Sequence, residues 1–178
     1  IHTKMKHEAV AIGYLERFVA DWARSHGLAD EEKPAANGIK VAVVGSGPAG
    51  LAFAGDMAKR GYSVTVYEAL HEIGGVLKYG IPEFRLPNAI VDTEIDGLRR
   101  LGVEFEANCI VGKTLSYDDL HAMGFKGIFV ASGAGLPRFM NIPGENAIHI
   151  LSANEFLFRV NVMDADQPDS ETPLYVGK

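Results

Sequence analysis

KVAVVGSGPAGLAFAGDMAKRGYSVTVYE, residues 40–68, decides how this chain is read. Val41, Ala42, Val43 and Val44 form a short apolar, β-branched run, the composition of a buried strand. It leads directly into G-S-G-P-A-G, with glycines at Gly45, Gly47 and Gly50. A helix-forming segment follows, then a second β-rich run, Ser63 to Tyr67, closed by the acid Glu68. Strand, glycine turn, helix, strand and acid in that order are the fingerprint of a dinucleotide-binding βαβ unit.

Each part has a separate task. Gly45 permits the tight turn off the strand, and Gly47, lacking Cβ, lets the main chain approach a pyrophosphate. Gly50 lets the helix pack on the strand. Pro48 suits the first helical turn, where its missing N–H would have no intrahelical partner. The helix start presents free N–H groups and about half a positive charge to phosphates. Glu68 falls 18 residues after Gly50. Its carboxylate can accept hydrogen bonds from ribose hydroxyls and would repel a 2′-phosphate. On these residues alone the ligand is FAD or NAD rather than NADP.

Outward from this unit, Ala9–His26 repeats Val10, Tyr14, Leu15, Phe18, Val19 and Trp22 at helical spacing, which predicts an amphipathic helix stopped at Gly27. Phe18 and Trp22 are expected to pack. Residues 28–38, with Pro34 and Asn37-Gly38, read as a linker. Residues 69–87 carry too much Gly and Pro for regular structure, and a loop this long in a domain is more often functional than idle. Asn88–Leu101 predicts a helix with Ile90, Val91, Ile95 and Leu98 on one face. Val103–Glu106 predicts a short strand, Ser116 a helix cap with Asp119 three residues on, Gly127–Ala131 a buried strand and Ser152–Val160 a short helix. From Asn161 the chain turns polar and acidic. The expected division is a helix and linker over 1–38, the nucleotide-binding domain over 39–162 and a linker over 163–178.

The 178 residues suit one ordinary domain with appendages. A hydrophobic content of 47% with 22% charged residues is that of a globular chain rather than a disordered one. A net charge of −6 argues against nucleic acid as the main partner. No apolar run reaches membrane-spanning length, so no membrane is expected. A single cysteine, Cys109, allows neither an internal disulfide nor an all-cysteine metal site within one chain, and a reducing cytoplasmic setting is the expectation.

Four segments together carry a family resemblance: GSGPAGLAFAGDMAKRGYSVTVYEA (45–69), IGGVLKYGIPEFRLP (73–87), GVEFEANCIVGKTLS (102–116) and FVASGAGLPRFMNIPGE (129–145). They resemble the small, flavin-containing subunit of NADPH-dependent glutamate synthase. The same module occurs in dihydropyrimidine dehydrogenase and in electron-bifurcating ferredoxin–NADP oxidoreductases. VAIGYLERFVADWA is similar to that family's helix before the flavin domain, and the likeness covers about residues 9–160.

The resemblance implies an α/β fold, a Rossmann-like FAD-binding domain of the glutathione-reductase-like type with a parallel sheet and an N-terminal helical appendage. It implies that Gly45, Ser46, Gly47, Pro48 and Ala49 contact the pyrophosphate of FAD and that Glu68 meets the adenosine ribose. It places Gly75 and Val76 along the flavin, Arg85 at a phosphate or nearby, Val111 against the adenine, and Ser132-Gly133 in a turn returning to the flavin. Two of these have independent physical support. Arg85 is a fixed positive charge able to pair with phosphate, and Gly74-Gly75 permits the close approach that a planar ring needs. The alternative for Arg85 is an ion pair with Glu83, and for Val111 a place in the core.

No side-chain acid or base is assigned, because the redox chemistry belongs to the flavin. His71, Glu72 and Lys78 are expected to be solvated, and Cys109 to be a small core residue. By the resemblance, the parent protein passes electrons from NADPH through FAD to iron–sulfur clusters and on to a large subunit or equivalent domain, which makes glutamate. The chain begins at Ile1 rather than Met and stops at Lys178, where a second nucleotide-binding unit would begin. The expectation is therefore a flavin-domain fragment, inactive alone. Two other readings stay open: the flavin subunit of a ferredoxin–NADP oxidoreductase or sulfide dehydrogenase, and a non-catalytic nucleotide-binding or assembly module.

Overall fold

A computed structural model describes residues 9–27 and 32–175. It falls into two compact units, residues 1–31 and 32–178. The first unit is helix α1, Ile12–His26, ended at Gly27 with φ of 64°. Among the described residues of this unit nothing covers its apolar stripe. None of its residues is buried, Phe18 is 66% exposed and Trp22 50%, and Trp22 stacks on His26 of its own helix at 4.2 Å between ring centroids. Periodicity identifies an apolar face; it does not supply the surface that covers it. The predicted linker lies in part outside the described residues. Its end, however, is fixed: the Asn37 N–H donates to the Gly61 carbonyl at 2.8 Å.

The second unit is a four-stranded sheet ordered β3-β2-β1-β4, every pair parallel. The elements are β1 (Lys40–Val44), α2 (Pro48–Ala58), β2 (Ser63–Tyr67), α3 (Val76–Tyr79), α4 (Asn88–Arg100), β3 (Glu104–Glu106), α5 (Tyr117–Ala122), β4 (Phe125–Val130) and α6 (Ala153–Met163). β1 and β2 are covered on both faces, so their apolar runs are continuous, whereas the strand predicted as buried at 127–131 is not buried: β4 lies at the sheet edge and Val130 is 68% exposed. Val43, Val64 and Val66 point to one face, where Ala54 and Ala58 of α2 meet Leu101 and Val103. Ala42 and Tyr67 point to the other, against Leu120 of α5 and Phe125. Val91 and Ile95 of α4 join Leu51 and Ile73 in a third cluster. Burying each such Val, Leu or Ile side chain contributes about 1.5–3 kcal/mol. A charge at Val66, which is fully buried, would be desolvated without a partner.

The loop after Glu68 holds more regular structure than its composition predicts. Gly75 and Gly80 bracket one helical turn, α3. The capping of α5 is also stronger than predicted: Ser116 accepts from the Asp119 N–H, and Asp119 accepts from the Ser116 N–H, a reciprocal box.

From β1 the chain steps outward to β2 and β3 on one side, while β4 returns to the other side of β1. The order reverses between β1 and β4, and crevices in open parallel sheets form at such a reversal, beyond the carboxyl ends of the strands. The fold therefore places a site at the ends of Val44 and Val130, where the glycine turn begins.

Candidate dinucleotide-binding site

A cleft of about 710 Å³ opens at this point, within the range of small-molecule sites. Gly45 to Ala49 form its floor, and Ala131 to Gly135 after β4 form one wall. Glu68, Ala69, Leu70, Cys109, Ile110 and Val111 also line it, as do Gly75, Val76, Tyr79, Gly80, Asn154 and Phe158. A second cavity, of about 670 Å³ beside α6, shares no lining residue with it.

The glycines divide the work. Gly45 has φ of 103°, and a Cβ there would lie 2.3 Å from the Ala131 carbonyl oxygen. Only glycine therefore lets the turn pass beneath the chain leaving β4. A Cβ on Gly50 would lie 2.0 Å from the Gly45 oxygen, so Gly50 closes helix onto turn and serves packing rather than lining. Gly47 is different: nothing lies within 4 Å of its Cβ direction, so the space that a side chain would take is left to the cleft. Gly47 also precedes α2, which has Pro48 in its first turn and no side-chain cap. The first-turn N–H groups are thus left to an anion.

Glu68 continues past β2, its N–H donating to the Glu106 carbonyl at 2.8 Å. Its carboxylate is buried at the cleft. Oε2 accepts from the Ser46 N–H at 2.9 Å and the Ser46 hydroxyl at 2.5 Å, and Oε1 accepts from the Leu70 N–H at 3.0 Å. The double-glycine loop is seated on the turn: a Cβ on Gly75 would lie 2.8 Å from Gly47 Cα. Tyr79 is buried and stacks on Phe158 of α6 at 4.9 Å. Its hydroxyl accepts from the Glu72 N–H at 2.8 Å. Burial, and then the neighbouring Glu68 and Glu72, push the Tyr79 hydroxyl above the usual tyrosine range against the opposing effect of that hydrogen bond.

All the predicted site residues except Gly50 and Arg85 line the cleft. Arg85 is exposed in the loop before α4. The suggested partner Glu83 instead accepts from the Asn88 N–H at 2.9 Å. Val111 and Cys109 line the cleft and pack on the Leu120 cluster at once. Lys78 corrects an expectation. It is buried, not solvated, 2.9 Å from Glu72 and 2.6 Å from Asp92. Burial alone would lower its ammonium's pKa, but hydrogen bonds to Asp92 and Glu72 outweigh it and hold Lys78 above the ordinary lysine range. Tyr79, Asn154 and Phe158 escaped the sequence reading. Tyr79 carried the one available signal, an aromatic residue just before Gly80 in a glycine-rich loop.

A parallel sheet with a glycine turn, an acid after the second strand and a cleft at the reversal defines a dinucleotide-binding domain. The family model of the pyridine nucleotide-disulphide oxidoreductases matches residues 39–172, and the chain belongs to that family; it is an FAD-binding oxidoreductase module. It is 38% identical over 175 residues to the glutamate synthase [NADPH] small chain of Mycobacterium tuberculosis, covering 96% of this chain and 36% of that one. It is 34% identical over 171 residues to the NAD-dependent dihydropyrimidine dehydrogenase subunit PreT of Escherichia coli strain K12, covering 94% and 40%. The chain thus spans well under half the length of these relatives. Among solved structures it is similar in fold to Mycobacterium tuberculosis FprA in complex with NADPH, with a TM-score of 0.58, 24% identity and coverage of 68% and 28%. It is also similar to 2-naphthoyl-CoA reductase, with a TM-score of 0.57, 26% identity and coverage of 71% and 19%. Among the described residues no helix is long and apolar enough to cross a membrane.

Proposed function

We propose that this chain is the FAD-binding part of an NADPH-dependent glutamate synthase small subunit. The observation that carries the reading is the open space at Gly47, bounded by the uncapped start of α2 and the Glu68 carboxylate. The main chain of Gly45 to Ala49 would hold the pyrophosphate, where the α2 dipole favours negative charge. Glu68 receives a ribose hydroxyl and disfavours a 2′-phosphate. Val111 borders the adenine end. Gly75, Val76 and Gly133 would border the flavin ring. The chemistry that bound FAD would supply is hydride and single-electron transfer. This chain's own residues bind it, orient it and limit water around it.

In the whole protein NADPH supplies the hydride, iron–sulfur clusters carry the electrons away, and a large subunit or equivalent domain in the cytoplasm uses them to make glutamate. The identity to a glutamate synthase small chain supports this assignment. A second reading, the corresponding module of a dihydropyrimidine dehydrogenase, is supported by the identity to PreT.

Titration of the purified chain with FAD, followed by flavin absorbance and fluorescence, tests the reading. One FAD per chain with visible flavin bands is expected. A colourless protein that takes up no FAD would overturn it. Steady oxidation of NADPH by this chain alone would refute the assignment of the hydride-donor site to another domain.

A further inference from the structure

The serine in G-S-G-P-A-G has a task that a main-chain phosphate contact does not need. We propose that Ser46 is a positioning residue that fixes the Glu68 carboxylate and so decides which of its oxygens reads the dinucleotide's ribose. The inference rests on the reading above, that the cleft takes FAD with its adenosine ribose at Glu68.

Ser46 is completely buried, and its N–H and its hydroxyl are both taken up by protein partners. Its hydroxyl donates its one proton to Glu68 Oε2 at 2.5 Å and accepts from the Gly74 N–H at 2.9 Å. Its own N–H donates to the same Oε2 at 2.9 Å. A 2.5 Å contact falls among short, charge-assisted O–H···O⁻ bonds. A carboxylate offers about four acceptor positions, two on each oxygen. Both positions on Oε2 are taken by Ser46, and one on Oε1 is taken by the Leu70 N–H. One position, on Oε1, is left for a ligand.

Glu68 therefore receives a single ribose hydroxyl and does not clamp a diol through both oxygens. Rotation of the carboxylate is opposed because it would strip the Ser46 hydroxyl of its acceptor. The same hydroxyl holds Gly74, and Gly75 beside it rests on Gly47. Ser46 thus joins the ribose acceptor to the loop assigned to the flavin end. Without the hydroxyl, Oε2 gains an open position, the carboxylate can turn, and discrimination for the ribose hydroxyl falls.

The test compares ligand and residue changes in one cycle. Affinities of the full chain and of Ser46→Ala are measured for FAD and for FAD analogues carrying 2′-deoxyadenosine or 3′-deoxyadenosine, by flavin fluorescence. The native chain should lose about tenfold for one analogue and little for the other, the scale of one hydrogen bond to a charged group. In Ser46→Ala that ratio should shrink below about threefold, whatever the absolute affinity, because the reading group itself has been loosened. An unchanged ratio, or equal large losses for both analogues in the native chain, would overturn the proposal. If Ser46→Ala does not fold, Ser46→Cys, with its weaker donor, makes the same comparison.

Failure of the native chain to bind any of the three flavins would overturn the FAD reading instead. Hydrogen exchange without ligand then decides the positioning role by itself. Ser46→Ala should speed exchange of the Gly74 and Leu70 amides at least about tenfold relative to Ala131, whose N–H is held by Val44. Equal rates in the two proteins would overturn that role.

Discussion

Lys78 Nζ lies 2.6 Å from Asp92, and this pair anchors the loop that closes the cleft to helix α4. The lysine also holds Glu72 at 2.9 Å, and its stem runs beneath Gly74, where a Cβ would come within 3.1 Å of Lys78 Cγ. Replacing Lys78 with Met keeps the stem and removes the charge. The expected loss is about 1–3 kcal/mol, because two hydrogen bonds to charged groups disappear and their half-exposed carboxylates recover water. Urea unfolding checks this; a change below the error of the midpoint would mean that the ion pairs contribute nothing.

The same lysine sets an alkaline limit. Its folded pKa is raised above the unfolded value by Asp92 and Glu72 against the pull of burial. Its contribution is therefore fully present below the ordinary lysine pKa and is lost as pH rises through the folded one. Thermal melts across that window should fall more steeply for the native chain than for Lys78→Met. Parallel curves would refute the linkage.

Two glycines of one motif should fail in different ways. Gly47→Ala puts a methyl group into open cleft space, so folding should be intact while FAD affinity drops about tenfold or more through lost pyrophosphate approach. Gly50→Ala puts a methyl group against the Gly45 carbonyl oxygen. It should cost about 1–3 kcal/mol of stability or more. Melting temperature and FAD titration on both variants separate the two roles. A Gly50→Ala protein as stable as the native one would contradict the packing at the turn.

Arg85→Ala should leave FAD affinity within about threefold, since the guanidinium belongs to an exposed residue that does not line the cleft, and one exposed ionic contact carries little energy. A loss of tenfold or more in the same titration would show that the loop moves inward on binding.

At the acid end α5 is the element to watch. Hydrogen bonds from the Ser116 hydroxyl, and then from its backbone N–H, hold the Asp119 carboxyl below the usual range. That support is present above the unfolded pKa and is lost as pH falls through the folded one. The exchange protection of the Met123 amide, whose N–H bonds to the Asp119 carbonyl, should fall at low pH relative to the intrinsic exchange rate, and this fall should be smaller in Ser116→Ala, which keeps only the backbone hydrogen bond.

The parts of the site that were legible in the sequence are those made by neighbours in the chain. The glycine turn, α2 and Glu68 sit within one βαβ unit, where residue type and spacing dictate the geometry. Gly50 was readable as a packing residue for the same reason. Lys78 was not, because its burial depends on Asp92, which arrives on another helix. Phe158 and Asn154 were likewise invisible, since they reach the cleft only when α6 packs near α3. The stripe on α1 marks the opposite limit. Phe18 and Trp22 announced an apolar face, but nothing local says what meets it.

The pairing of β4 with β1 has a kinetic consequence. Lys40 and Phe125 are partners about 85 residues apart in sequence, whereas β1, α2 and β2 are contiguous. Loop-closure entropy delays contacts of long separation. The glycine turn and Glu68 are therefore expected to form before the wall from Ala131 to Gly135. FAD recognition should lag behind formation of the motif that announces it, and the slowest folding step should also be the step that creates the binding site.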